Sequence, residues 1–507
     1  MPAPSPPAED AQRRSINVLL QQSGLTHDEL WIRYFAMGGI AGPLEVEAYL
    51  QGMLPLPPID RDVLAQSLNE HLDDIDWPGR VPYLRLAREY EPLSGPLAAL
   101  VELLDGAYLA APEHLGTLVH RAAAMLDIEI VTYLSDHTQE LLVPLPSPGA
   151  DGRSALRIEG TLAGRAYQLV RTLPSTGGGS PHLWVPVLDG LDRLGVLDVA
   201  VKSEADLEDP GLRTQCRWLS ATLGHLISAM GGHGDVLEAT RHRRPRSVGG
   251  ELVSSLLPPL TSGVDGFLLA GSVEPATQGR GDAFDYGLSA THARLAIFDA
   301  MGHDLRASLI AAAALAAYRT ARREGAGVYE QARVIDKTIA DQFPDAFCTG
   351  VVCELDLRTG RLRYLSAGHP APLVYRAGKV VRRLEGGRRL PFGFDDSTAV
   401  TAEETLQPGD WLALFTDGIT EARRPDKSEF GEDRLADFLI RAAAAGQPPP
   451  ETVRRLAKAV LAHQGGALED DATVVLASWN HYDFADYDLA HVNDSTLPHD
   501  PASRRWR

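Results

Sequence analysis

The chain has almost no cysteine: three residues in 507, at Cys216, Cys348 and Cys353. An odd number without metal-ligand spacing excludes a disulfide framework and suits a reducing compartment. Cys348 and Cys353 stand five apart in a strand-like run, which would point them to opposite faces. A basic excess is also missing, because 48 Lys and Arg face 68 Asp and Glu and leave a formal net charge of -20. Nucleic acid and anionic membranes need basic patches, so neither is the expected main partner. No apolar run reaches the length of a membrane span, and residues 1–10 are proline-rich and acidic rather than a basic stretch leading into an apolar one. These absences predict a soluble, cytoplasmic protein. What is present is ample core material, 44% hydrophobic against 23% charged, in a chain long enough for two to four domains.

The four prolines within residues 1–14 predict a disordered start. Over 15–91 the apolar spacing is helical. Thr26-His27-Asp28-Glu29 offers a capping box before Leu30, Trp31, Tyr34 and Phe35, and Pro43 and Pro57-Pro58 each precede a new periodic run. Three or four short helices follow, an accessory domain whose aromatic residues at helical spacing read as core. From 96 to 230 the pattern changes to a helical run, strand-like segments at 128–134, 155–158, 183–188 and 194–199, and a closing amphipathic helix bearing Leu212, Cys216, Leu219, Leu223, Leu226 and Met230. Between the strands lies Gly160-Thr161-Leu162-Ala163-Gly164-Arg165-Ala166. This order resembles a GAF sensory domain. Such domains hold a small ligand or serve only to dimerise, and both stay open here; the closing helix can pair with its copy in a homodimer and run on toward the next domain. His182, beside a glycine-rich loop, reads as a surface residue. Residues 231–250, with the basic run Arg241-His242-Arg243-Arg244-Pro245-Arg246, read as a solvated linker.

From 251 to 479 strand runs flank a two-helix block, which predicts an α+β fold: an α-β-β-α sandwich with helices outside two antiparallel sheets. Aspartates recur at its strand ends. Asp282 lies in a glycine-flanked loop, Asp299 follows Leu295-Ala296-Ile297-Phe298, Asp417 stands in Thr416-Asp417-Gly418, and Asp470-Asp471 precede Ala472-Thr473-Val474. Taken singly, each reads equally well as an ordinary turn, as Asp395, Asp396 and Asp426 do. Gathered at one sheet edge, carboxylates would repel and raise one another's pKa unless a cation joined them. An all-oxygen set without clustered histidine or thiolate favours Mg²⁺ or Mn²⁺ over zinc. Two such ions about 3.5–4 Å apart suit in-line phosphoryl chemistry.

Five motifs in order carry a specific resemblance: Gly281-Asp282-Ala283-Phe284-Asp285, Phe298-Asp299-Ala300-Met301-Gly302-His303, Ser366-Ala367-Gly368-His369-Pro370, Thr416-Asp417-Gly418-Ile419-Thr420-Glu421-Ala422 and Asp470-Asp471-Ala472-Thr473-Val474. Together they resemble the SpoIIE and RsbU branch of the metal-dependent type 2C (PPM) protein serine/threonine phosphatases. The resemblance implies that Asp299 bridges two Mn²⁺ or Mg²⁺ ions, that the Ala300 carbonyl contributes to one of them, and that Asp282, Asp417 and Asp470 supply further carboxylates, with Asp471 the alternative to Asp470. It implies hydrolysis of phosphoserine or phosphothreonine by two-metal-activated water. The substrate would be a bacterial regulatory protein, typically an anti-sigma factor antagonist. The sequence departs from the pattern at Arg280, where a second glycine is usual, at Ala283 in place of an aromatic, and at Asp304. Arg280 is a candidate contact for substrate phosphate, and Asp304 could join a metal shell. His303 is a candidate supporting residue, and His369 either supports the site or merely shapes its turn. A catalytically weak pseudophosphatase that binds phosphorylated partners as a scaffold is the competing reading. The end, 480–507, reads as a flexible tail.

Overall fold

All four residues 295–298 are apolar and all four are buried, the mark of a strand covered on both faces. Leu295 and Ile297 turn into one core, Ala296 and Phe298 into another. Repeated over neighbouring strands, this pattern stacks helices on both sides of a pair of sheets. The computed structural model describes residues 6–84, 96–177, 180–242, 246–275, 280–376, 378–396 and 399–479. The expected tail and the middle of the basic run lie outside them. The chain divides into two compact units, Met1–Leu93 and Ser94–Arg507. Among the described residues no helix is long and apolar enough to cross a membrane.

The first unit holds α1 (Pro6–Ser23), α2 (His27–Ala36), α3 (Pro43–Leu50) and α4 (Pro58–Asp74). The capping box forms as spaced: Thr26 Oγ1 accepts from Glu29 N and the Glu29 carboxylate accepts from Thr26 N. The start differs from expectation, since α1 begins at Pro6. Ile16 and Leu20 are buried in the core of the unit, and prolines are tolerated in a first helical turn. Tyr34 is core, but Phe35 is 61% exposed.

The second unit opens with α5 (Pro96–Ala107), α6 (Leu115–Met125), β1 (Glu129–Ser135), β2 (Leu141–Pro144), β3 (Leu156–Arg157), α7 (Leu162–Leu169), β4 (Leu173–Ser175), β5 (His182–Asp189), β6 (Asp192–Ala200) and α8 (Pro210–Met230). The strands form one antiparallel sheet ordered β3-β2-β1-β6-β5-β4. One face packs on α5, α6 and α8. The other, under α7, is filled by Tyr133, Tyr167, Val196 and their neighbours. The apolar face of α8 (Cys216, Leu219, Leu223, Ile227, Met230) lies in the first of these cores. His182 is tied to Asp198, Nδ1 to Oδ1 at 2.7 Å. The expected linker carries α9 (Val236–Arg241).

The C-terminal module follows with α10 (Val248–Leu256), β7 (Thr261–Val264), β8 (Phe267–Glu274), β9 (Asp282–Leu288), β10 (His292–Ala300), α11 (Leu305–Arg323), α12 (Val328–Gln342), β11 (Cys348–Asp356), β12 (Arg361–Ala367), β13 (Leu373–Arg376), β14 (Lys379–Arg383), β15 (Arg388–Arg389), β16 (Ala402–Thr405), β17 (Asp410–Phe415), α13 (Asp417–Thr420), α14 (Gly431–Ala444), α15 (Pro449–His463) and β18 (Ala472–Trp479). Its sheets run β15-β12-β11-β10-β9, with β16 on β12, and β14-β13-β17-β18-β8-β7. Both are antiparallel apart from the short parallel pair β12 and β15. Their facing sides share a core that includes Phe284, Ile297, Cys353, Leu414 and Val475. Helices α11 and α12 cover the outside of the first sheet, α14 and α15 that of the second. Cys348 and Cys353 lie in different cores, on opposite faces of β11.

The sensor and C-terminal modules meet at a buried charge cluster. Arg193 on β6 donates to the Glu451 carboxylate and to the Pro450 carbonyl at the start of α15. Arg454 donates to Glu451, to Glu159 and to the Gln139 carbonyl. Arg193, Glu451 and Arg454 are 6%, 3% and 2% exposed.

Candidate metal centre

Strands β9, β10 and β11 are in a register that sets Asp282 directly across from Asp299 on one side and Thr349 across from it on the other. Paired positions in an antiparallel ladder keep their Cβ atoms about 4.5–5.5 Å apart on one face. Two carboxylates and a hydroxyl therefore share one patch at the sheet edge. The second sheet delivers the rest at its own strand ends: Asp417 opens α13 just after β17, and Asp470-Asp471 immediately precede β18. Thr416 joins the two sheets there, its Oγ1 donating to Asp282 Oδ2 at 2.8 Å and accepting from Thr473 N at 3.0 Å. Gly418 permits the close approach, since a Cβ at that position would lie 1.9 Å from the Asp471 carbonyl. Gly302, at φ +91°, supplies the left-handed turn that leads from Asp299 toward α11.

Burial dominates the electrostatics. It pushes the Asp299 carboxyl up to about 8, reinforced by the charges of Asp417, Asp470 and Asp471. Asp282 is driven well above the carboxylate range by burial and then by Asp299 and Asp471, and Asp417 is raised by burial and by Asp470. Among the described residues no cationic side chain forms an ion pair with Asp282, Asp299, Asp417 or Asp470. A crowd of desolvated oxygens lacking counter-charge fits a hard divalent cation. The side chains do not close around one point by themselves, because among the described residues no group of three or more His, Cys, Asp or Glu converges at metal-ligand range. Donor chemistry and location fit the ion; the convergence is incomplete.

A pH dependence follows with a definite sign. A carboxyl whose folded pKa is raised adds stability below its unfolded value, near 4, and that stability is lost as pH climbs toward the folded value near 8. In metal-free protein Asp299→Asn removes one such group. Its melting temperature relative to wild type is expected to rise between pH 5 and pH 8 in chelator-treated samples; a difference that stays flat over that range contradicts the electrostatic picture.

The two adjacent aspartates part company in the fold. Asp471 is buried, and its Oδ2 accepts from Gly281 N at 2.5 Å and Asp282 N at 3.3 Å, so it organises the loop that presents Asp282. Asp470 is exposed at the rim, with Oδ1 accepting only from Asp471 N among the described residues. Ala300 is buried with its N–H donating to the Gly281 carbonyl. Asp304 caps α11, its Oδ1 accepting from Ala307 N at 3.0 Å, which gives it a structural job. His303 is exposed on the same turn. Asp285 holds α11 to β9 through Arg319 and Arg322. Asp426 accepts from Ser428 N, the turn role expected of it.

Arg280 departs from its expected position at the substrate. It is 8% exposed, its Nη1 donates to Ser254 Oγ on α10 at 2.7 Å and its Nη2 to the Val273 carbonyl at 3.2 Å. Those bonds hold the two terminal nitrogens against α10 and β8. Sequence reasoning passed over Thr349 and Thr416, because threonine is common in strands and nothing in its spacing marks it; only the register brings them to Asp299 and Asp282.

Comparison with known proteins matches residues 289–480 to the family model described as Stage II sporulation protein E (SpoIIE). That stretch includes Asp299, His369, Asp417 and Asp470 and starts after Asp282. Protein IcfG of Synechocystis sp. (strain ATCC 27184 / PCC 6803 / Kazusa) is 27% identical over 146 residues, 28% of this chain and 23% of IcfG. Phosphoserine phosphatase RsbP of Bacillus subtilis (strain 168) is 24% identical over 147 residues, 28% of this chain and 36% of RsbP. The chain thus spans well under half the length of both. Among solved structures, the RsbU and RsbW domains of Rv1364c from Mycobacterium tuberculosis align at 25% identity and a TM-score of 0.39, covering 44% of this chain and 62% of that one. Residues 289–480 are thus similar to the SpoIIE family.

Proposed function

We propose that the chain is a Mn²⁺- or Mg²⁺-dependent protein serine/threonine phosphatase acting on phosphoserine or phosphothreonine of a bacterial regulatory protein, an anti-sigma factor antagonist, under control of its sensor module. The observation that carries this reading is the edge at which Asp282, Asp299 and Asp417 are desolvated together with Asp470 beside them, none of them ion-paired to a cationic side chain among the described residues. Two bound divalent ions supply the charge and Lewis acidity that phosphoryl transfer to water needs. The chain's part is to hold the oxygens. Asp299 stands between Asp282 and Thr349, Thr416 fixes the Asp282 carboxylate, Asp471 fixes its main chain, and the Ala300 carbonyl and the Asp417 and Asp470 carboxylates complete the donor set. The name of RsbP, a phosphoserine phosphatase, supports the substrate class.

Control by the sensor is supported by the Arg193, Glu451 and Arg454 cluster, since α15 leads from that cluster to Asp470 and Asp471. The sensor sheet face under α7 is filled by its own side chains. We therefore place a small ligand in the cavity of about 830 Å³ between the modules, whose wall includes Arg193, Arg241 and Arg280.

Hydrolysis of a phosphoserine peptide should require added Mn²⁺ or Mg²⁺, cease on treatment with a chelator and return on readdition. The scaffold reading draws on the incomplete convergence of the carboxylates. It predicts phosphopeptide binding with no turnover at any metal concentration, and that result would replace the phosphatase reading.

A further inference from the structure

We propose that His369 and Thr349 form a hydrogen-bond relay that sets the orientation of the Asp299 carboxylate, with His369 a positioning residue acting through Thr349; the proposal rests on the phosphatase reading of this edge. His369 is 5% exposed in the turn after β12. Its main chain is pinned there, with the Gly368 N–H donating to the Arg389 carbonyl and Ser366 Oγ donating to the His369 carbonyl. Its Nδ1 lies 2.8 Å from Thr349 Oγ1, and Thr349 Oγ1 lies 3.5 Å from Asp299 Oδ2. Thr349 is also the cross-strand partner of Asp299.

Counting hydrogens chooses the arrangement. The buried ring is neutral, so one nitrogen carries the proton. Nε2 has no hydrogen-bond partner; the Phe415 main chain lies beside it, but outside hydrogen-bond geometry. A proton on Nε2 would point at the Phe415 main chain without a formed hydrogen bond, and would oblige the threonine hydroxyl to turn its hydrogen toward Nδ1 and its lone pairs toward the carboxylate, against the donation from Thr349 Oγ1 to Asp299 Oδ2. A proton on Nδ1 is donated to Thr349 Oγ1 and frees the hydroxyl hydrogen for Asp299 Oδ2. Leaving an acceptor unpaired at Nε2 is the lesser penalty, and it keeps a donor facing the carboxylate.

Groups that orient a metal ligand usually change metal affinity by about 10- to 100-fold when removed. Titration of the full chain with Mn²⁺ alone, by calorimetry, should show that loss for Thr349→Val, with recovery in Thr349→Ser, which keeps the hydroxyl. His369→Phe should weaken Mn²⁺ similarly, while His369→Asn, whose side-chain amide reaches the Nδ1 position, should retain most of the affinity. The KM for a phosphoserine peptide at saturating Mn²⁺ should stay near wild type in all four. Wild-type Mn²⁺ affinity in Thr349→Val and His369→Phe, with wild type itself binding the ion and hydrolysing the peptide, overturns the relay and leaves the phosphatase reading intact. If the wild type binds no Mn²⁺, both fall.

Discussion

Asp299→Asn is expected to lower hydrolysis of a phosphoserine peptide by about 10³-fold, the several kcal/mol that divalent ions contribute to charge stabilisation in phosphoryl transfer. The substitution keeps size and hydrogen-bonding shape but removes the charge at the point where the two sheets' carboxylates meet. Asp282 across the ladder and Asp417 and Asp470 beyond it would hold the remaining ions too loosely for catalysis. The fold should survive and even gain stability without metal, since a desolvated carboxyl pushed up to about 8 has been replaced by a neutral amide. Loss of activity together with a raised melting temperature in chelator is the signature to look for. A variant that retains more than a tenth of wild-type turnover at equal Mn²⁺ would show that Asp299 is not the bridge.

Glu451→Ala is expected to destabilise the chain by about 3–5 kcal/mol, because it leaves two buried guanidinium groups without their shared carboxylate. Arg454 Nε and Nη2 lie 2.8 and 2.7 Å from the Glu451 oxygens, and Arg193 Nη1 lies 3.4 Å from Oε2. Arg193 also stacks over the Tyr167 ring, 4.7 Å from its centroid. The loss should concentrate where the modules join, so denaturant unfolding should separate into two transitions as the sensor releases α15. Glu451→Gln keeps part of the hydrogen bonding and should fall between the two. A Glu451→Ala protein that unfolds in one transition within about 0.5 kcal/mol of wild type would mean that water replaces the carboxylate there.

Several features were legible before folding was considered. The paired apolar faces of 295–298 follow from their composition alone, and the cap at Thr26 follows from a Ser/Thr-x-x-Glu spacing whose partners are three residues apart. The aspartate motifs were legible because each is a local signal, a carboxylate at a strand end with a glycine or a second aspartate within three residues. Local chemistry also permitted a better reading of Asp304, which stands three residues before the N–H it caps. The helical start at Pro6 was hidden because its stability comes from Ile16 and Leu20 in a core built by the other helices. The bonds of Arg280 to Ser254 and to the Val273 carbonyl were hidden for a similar reason, since only the packing of α10 brings those partners to it. Glu451, in a run of prolines, carries no local mark of its partner 258 residues away.

The sequence by itself determined the residue types at the candidate centre, since carboxylates at strand ends are written in short motifs that survive without knowledge of distance. It also determined the sandwich, through strands apolar on both faces. Only the tertiary structure separated the two adjacent aspartates. Asp470 and Asp471 are neighbours in the chain and adjacent side chains at a strand start point to opposite sides, so one is exposed at the rim and the other buried against the Gly281 and Asp282 amides. The same applies to Thr349 and His369, whose connection to Asp299 exists only through strand register and a closed turn. Hydrogen bonds of this kind span tens of residues, and no periodicity along the chain encodes them.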